Sequence, residues 1–323
     1  MSVVRRRAVG AEVAAGGVHF RVWAPSRQRV EVVIGDRRQP LEREAGGYFA
    51  GLVTGAGAGT LYRFLLDDDP QPYPDPASRF QPQGPHGASQ VVDPDAYRWR
   101  AKWHGIQPSG LVIYEMHIGT FTPEGTWAAA AAKLSLVAEV GVNVVEIMPV
   151  SEFPGRFGWG YDGVDLWAPT RLYGTPDDFR RFVDAAHDLG LGVILDVVYN
   201  HLGPDGCYLT KYTPAYFTDR YKNDWGAAVN FDGEHAAGDP NISFAIFRRS
   251  APVIPRRMRA ISSSRMSKSR VIRRPLASPV SAHLCRSSLR TRTTVAGRAR
   301  ISGSPVSTGA FSSRPVATAK ASA

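Results

Sequence analysis

The segment Asp196-Val197-Val198-Tyr199-Asn200-His201 puts a carboxylate and an imidazole at the close of an apolar run. Alternation along a strand turns Asp196 and Val198 to one side and leaves His201 in the loop that follows. A carboxylate there can orient a neighbouring arginine or carboxylic acid. An imidazole beside it can hydrogen-bond a sugar hydroxyl. The same two residues equally suit a strand-capping Asp and a loop His held by backbone.

A second candidate is Trp159-Gly160-Tyr161-Asp162-Gly163. Glycines on both sides let the chain turn sharply and present aromatic rings, which stack on the apolar face of a pyranose. Ordinary loop aromatics filling the mouth of a barrel would look alike. The third, Gly141 to Pro149, reads as a helix cap, a buried strand and a stop, with Glu146 better placed to pair with a buried polar group than to catalyse. His117 ends an earlier strand and faces toward a site; His187 belongs to a helix, and Glu234-His235 to the surface. Cys207 has no base nearby and is no nucleophile. No spacing of His, Cys, Asp or Glu suggests a metal, and nothing calls for a cofactor.

These segments need a scaffold, and the periodicity supplies one. From about residue 10 to 100, short alternating runs broken by turns predict a small β-sandwich: 19–25, 30–34 and 62–66 are its clearest strands. It is expected to enclose its own core and fold independently. Asp67 to Pro94, rich in Pro, Asp and Gly, reads as a linker. From Leu111 the rhythm becomes strand, helix, strand. Apolar runs at 111–117, 142–148 and 193–198 alternate with an Ala-rich helix over 127–140 and a second helix opened by Thr175-Pro176-Asp177-Asp178. Near-continuous apolar strands separated by helices indicate a parallel sheet covered on both faces. An open doubly wound sheet and a (β/α) barrel both fit that pattern.

Charge divides the chain unevenly. Residues 247–323 hold 17 of the 39 Lys and Arg and none of the 29 Asp and Glu, so residues 1–246 carry a net charge of −7. An acidic body has no electrostatic reason to seek nucleic acid. The last stretch also lacks Trp, Tyr, Asn and Gln and reads as a disordered, low-complexity basic tail. Two cysteines make no disulfide framework, no apolar region follows the basic start, and no run suits a membrane span. A cytoplasmic protein with no membrane partner is expected.

Taken in order along the chain, these segments resemble the α-amylase family of glycoside hydrolases. Asp196 to His201 is similar to that family's first conserved region and Gly141 to Pro149 to its second-strand motif. Asp75-Pro76-Ala77-Ser78-Arg79, Tyr114 to Thr126, Phe153-Pro154-Gly155 and His201-Leu202-Gly203-Pro204-Asp205-Gly206 narrow the likeness to the malto-oligosyltrehalose trehalohydrolases. The resemblance covers about residues 10–237. It implies an N-terminal β-sandwich followed by a TIM barrel, hydrolysis of the α-1,4 bond next to a terminal trehalose unit, and a malto-oligosaccharide or malto-oligosyltrehalose substrate. By the same resemblance Tyr161 stacks on the sugar beside the scissile bond, His201 binds that sugar, and Asp196 organises the site. Glycogen-branching or debranching enzymes share the plan, and a non-catalytic α-glucan-binding protein would use the same sandwich and Tyr161.

One departure is as informative as the match. Retaining glycosidases need two carboxyl groups about 5–5.5 Å apart. In the resembled family the nucleophile Asp closes strand four, the acid Glu closes strand five, and a further Asp follows strand seven. Nothing after Asp239 is acidic here. Asp219, Asp224, Asp232 and Glu234 fall in the loop after strand three and match other positions. The expectation is therefore a multi-domain chain with residues 10–100 as sandwich, 108–246 as an incomplete barrel of about three βα units, and 247–323 as a tail out of frame. It has no catalytic pair, and an open sheet edge.

Overall fold

The computed structural model describes residues 5–222, 224–234 and 236. The expected disorder of residues 247–323, His235 and Cys285 lie outside the described residues. Eight short strands make the N-terminal part: β1 Glu12–Ala14, β2 Gly17–Trp23, β3 Val30–Ile34, β4 Arg37–Pro40, β5 Glu42–Glu44, β6 Tyr48–Thr54, β7 Leu61–Leu66 and β8 Ser89–Gln90. They form two antiparallel sheets, ordered β1-β2-β6-β5 and β4-β3-β7-β8. Alternation decides which face is dry. In β2, Val18, Phe20 and Val22 are buried while His19 and Arg21 stay partly exposed.

The core between these sheets is not closed by the first hundred residues. Leu202, Leu209, Tyr212 and Tyr216, from the loop after the third barrel strand, belong to the same buried cluster as Phe20, Trp23, Tyr62 and Phe64. The Tyr212 ring meets Phe64 edge to face at 6.3 Å, and its hydroxyl donates to the Pro74 carbonyl at 2.7 Å. Tyr216 packs on Trp23 at 5.1 Å. A core of its own is thus not what the sandwich has. Its apolar face is finished by residues nearly two hundred positions away in sequence.

The expected linker is likewise packed. Asp75, Ser78, Arg79, Gln81 and Ser89 are all buried. Asp75 accepts from the Tyr62 hydroxyl at 2.7 Å and from the Ala77 amide at 2.7 Å, and the Ser89 side chain accepts from its amide. Burial still pushes the Asp75 carboxyl up. Pro and Gly gave this stretch its irregular backbone, while Asp75, Ser78, Gln81 and Ser89 were taken inside because each found a hydrogen-bonding partner.

Three parallel strands follow: β9 Ile113–Met116, β10 Val144–Ile147 and, after β11 Ser151–Glu152 and β12 Asp165–Pro169, β13 Gly192–Leu195. Their order is β13-β10-β9, with Val144 opposite both Ile113 and Gly192. Sequence placed all three, each slightly longer than observed. The Ala-rich helix is broken in two after the short α1 (Ile118–Phe121), into α2 (Trp127–Ala131) and α3 (Leu134–Glu139), and Gly141 follows at φ +89°. The next helix, α4 (Pro176–Asp188), begins with a full capping box between Thr175 and Asp178. Its buried face is Phe179, Phe182, Val183 and Ala186, whereas Leu189 is exposed beyond the helix end. Trp127 is fully buried and stacks on Phe179 at 4.2 Å, which locks α2 to α4.

Strand β9 pairs on one side only among the described residues, and Leu111, Val112, Ile113 and Tyr114 are exposed there. Among the described residues that edge of the parallel sheet is unpaired. No helix of the described residues is long and apolar enough to cross a membrane.

Candidate active site

Three carboxylates share one face of the parallel sheet. Glu115 and Glu146 stand opposite each other on β9 and β10, and Glu146 stands opposite Ile194, two residues before Asp196. Period-2 alternation brings Asp196 to the same face as that pair. Burial, then the charges of Asp196 and Glu115, raise the Glu146 carboxyl. Glu146 has no hydrogen-bonding partner among the described residues, so the pairing expected of it is absent. Asp196 is held by its own backbone: its amide donates to the Ile147 carbonyl at 2.8 Å, and its Oδ1 accepts from the Val197 amide at 2.7 Å.

Tyr161 reaches this face from the loop after β10. Burial raises its hydroxyl first, followed by the negative charges of Asp196, Glu115 and Glu146. Its ring remains 46% exposed, open to a ligand. His201 is buried, and its Nε2 donates to the Tyr161 carbonyl at 2.9 Å. That bond leaves Nδ1 as the acceptor nitrogen, and Nδ1 is buried without a partner. The structure therefore brings together Tyr161, Asp196 and His201.

Gly203 allows the two loops to meet, and Gly160 lets the loop after β10 fold back on its own start. A Cβ on Gly203 would lie 2.2 Å from the Asp162 carbonyl oxygen, and one on Gly160 (φ +89°) would lie 1.9 Å from that of Pro149. Their amides and carbonyls approach as side chains would forbid: the Gly203 amide donates to Gly163 at 3.1 Å.

His117 joins the site from the end of β9. Its Nε2 lies 3.0 Å from both the Gly158 carbonyl and the Tyr173 hydroxyl, and its ring rests 4.9 Å from Trp159. It positions the aromatic loop. His187 instead stacks on Trp103, 4.4 Å away, as a structural residue. Cys207 is partly buried, and burial raises its thiol, as befits an unreactive side chain. Glu115 and Tyr173 went unnoticed in the sequence; the spacing of Glu115 from His117 along one strand was the available signal. Among the described residues no group of three or more His, Cys, Asp or Glu could hold a metal.

Beside His201, whose backbone bridges to Ala228, an open cleft of about 920 Å³ is lined by Phe217, Tyr221, Lys222, Asp224 and Asn230, among others.

Comparison with known proteins fits this geometry. The model of the α-amylase catalytic domain matches residues 77–253, more than half of the chain. The chain belongs to the α-amylase family. Within that family it is 46% identical over 233 residues to the malto-oligosyltrehalose trehalohydrolase of Deinococcus radiodurans, and 46% identical over 225 residues to that of Saccharolobus solfataricus. These alignments take in 71% and 69% of this chain but only 38% and 40% of the relatives. The crystal structure of a putative α-amylase from Salmonella typhimurium superposes with a TM-score of 0.69 at 47% identity, covering 72% of this chain and 40% of that one. The parallel strands are thus part of a TIM-barrel glycoside hydrolase fold, and the chain spans about two fifths of the relatives it matches.

Proposed function

We propose that the chain is a malto-oligosyltrehalose trehalohydrolase by descent that keeps the sugar-binding half of its site and lacks the hydrolytic half. The observation that carries this reading is the convergence of Tyr161, Asp196 and His201, with the phenol ring exposed and an imidazole nitrogen unsatisfied. Tyr161 stacks on the sugar beside the scissile bond, His201 binds a hydroxyl of that sugar, and Asp196 organises the pocket. The ligand class is malto-oligosaccharide, and the compartment the cytoplasm. The domain layout that goes with it is a sandwich over 10–100, three βα units over 108–246 and a tail from 247.

Hydrolysis needs a nucleophilic carboxylate and a carboxylic acid on opposite sides of the glycosidic bond. The carboxylates at hand, Glu115, Glu146 and Asp196, share one face of the parallel sheet. No acidic residue follows Asp239 to supply the second side. The chain then binds α-glucan without cleaving it.

The test is to incubate the purified chain with malto-oligosyltrehalose and measure trehalose, alongside glucan binding by affinity electrophoresis. Retarded migration with no trehalose above that of a Tyr161→Ala, His201→Ala double variant is the expected result. Trehalose release above that control, or migration unaffected by glucan, refutes the reading.

A further inference from the structure

The loop that presents His201 is gripped at its far end by a residue from the N-terminal part of the chain. His86 Nδ1 lies 2.7 Å from the Tyr208 hydroxyl, and its Nε2 lies 3.2 Å from Asp205 Oδ1. One imidazole thus holds two side chains of the segment that runs from His201 to the short helix α5 (Leu209–Tyr212). A carboxylate can only accept, so in the neutral ring Nε2 keeps the proton and Nδ1 accepts from Tyr208. The tautomer that serves one partner also serves the other.

The two backbones come together at the same place. Gly206 has φ +88°, and a Cβ there would lie 2.6 Å from Pro85 Cβ, so the segments carrying His86 and Asp205 touch with no side chain between them. His86 is itself fixed from behind. Arg63 on β7 donates to its carbonyl at 3.1 Å, and Pro85 and Gly87 on either side are buried. The Tyr208 ring stands edge-on to His86 at 5.9 Å and leans on Tyr73 at 5.3 Å. Tyr73 in turn exchanges two backbone hydrogen bonds with Phe64 of β7, each 2.8 Å.

This grip sits between two other anchors of the same segment. On one side the Gly203 amide bonds to Gly163 in the loop that carries Tyr161, and on the other Leu209 enters the sandwich core. We propose that His86 is a positioning residue for the sugar site, setting through Asp205 and Tyr208 where the loop holds His201 and Gly203. The inference rests on the reading that Tyr161 and His201 bind α-glucan, and it adds a residue that acts through others. The side chains of His86 and Asp205 are 53% and 66% exposed, so water screens the pair and its removal weakens binding a few-fold rather than abolishing it.

The experiment is titration of the full chain with maltoheptaose, together with the backbone amide resonances of His201 and Gly203. His86→Ala should weaken binding about fivefold and shift both resonances. His86→Gln carries a donor for Asp205 and an acceptor for Tyr208 on one amide, and should bring affinity back to within about twofold of the unaltered chain. Adding Asp205→Ala to His86→Ala should cost nothing further, because both act through one contact. Arg38→Gln, on the exposed strand β4, should leave affinity as it is. Should His86→Ala fail to fold, Tyr208→Phe decides: it deletes one hydrogen bond, keeps the ring, and should weaken binding about threefold. If the unaltered chain binds no maltoheptaose, the sugar reading fails by itself, and the two resonances still decide on His86. Unmoved resonances, unchanged affinity in His86→Ala, or a His86→Gln variant as weak as His86→Ala overturns the proposal.

Discussion

The imidazole Nε2 of His201 lies 2.9 Å from the backbone carbonyl of Tyr161, tying the loop after the third barrel strand to the loop after the second. The bond fixes the tautomer that offers Nδ1 to a hydroxyl donor and holds the backbone of Tyr161 in place. His201→Ala removes both effects, so maltoheptaose affinity should fall about tenfold or more. Quenching of the exposed Trp159 by the sugar is the readout. Affinity equal to that of the unaltered chain would mean that the bond has no part in binding.

Gly160 should be less replaceable than any side chain in its loop. Alanine there meets both a left-handed backbone and the Pro149 carbonyl. Gly160→Ala is expected to abolish glucan retardation while leaving the far-ultraviolet circular dichroism of the sandwich in place. A variant that still binds would show that the loop after β10 can shift without loss.

Tyr212 couples the sandwich to the barrel segment. It is fully buried and belongs to the sandwich core although it comes from the loop after β13. Tyr212→Ala should destabilise the chain by about 3–5 kcal/mol, the usual cost of truncating a large buried ring. A fragment of residues 5–100 should fail to fold alone, since the apolar face under Phe64 and Trp23 would be bare. Urea denaturation of the variant and proton spectra of the fragment test the two statements; a dispersed spectrum from the fragment contradicts the second.

The sequence made the secondary structure plain and hid how it packs. Runs such as Val144 to Ile147 and the capping box at Thr175 announce themselves because their causes are local: apolar periodicity and backbone satisfaction within three residues. The sharing of the sandwich core by Tyr212 has no local signature, and the polar residues of the Asp75–Arg79 stretch look like those of a solvated linker until their partners are known. Motif alone singles out Tyr161, Asp196 and His201 as candidates. Glu115 was not, because its nearness to Glu146 and Asp196 arises only when β9 and β10 come into register.

Asp165 offers a pH test. It is fully buried, its Oδ2 has no partner, and burial, then Glu152 and Asp75, push its carboxyl well above the usual range. An acid whose folded pKa is raised binds its proton more tightly in the folded state. Its contribution is therefore present below the unfolded pKa near 3.8 and is lost as pH rises toward the folded value. Asp165→Asn keeps the neutral shape and removes the titration. Its stability relative to the unaltered chain should increase steadily from pH 4 upward. Parallel stability curves for the two would show that Asp165 is not protonated in the fold.

We propose that a shift of reading frame between about Ala237 and Phe247 accounts for the composition after residue 246. There Arg, Ser, Pro and Ala prevail, as in Arg256-Arg257-Met258-Arg259 and Ser262-Ser263-Ser264-Arg265. A functional basic tail would still be expected to use some Asp, Glu, Asn, Gln or Tyr, and residues 247–323 have none. Out-of-frame reading of a GC-rich gene yields that bias without selection. Translating the coding DNA in its other two frames, past the codon for Ala237, should restore a fourth strand with an Arg two residues before an Asp. A strand ending in Glu should follow it, and together they return the missing carboxyl pair. Joined to residues 1–237, that frame should give an enzyme that releases trehalose. If neither frame contains those strands, the frameshift is refuted and the tail is a feature of its own.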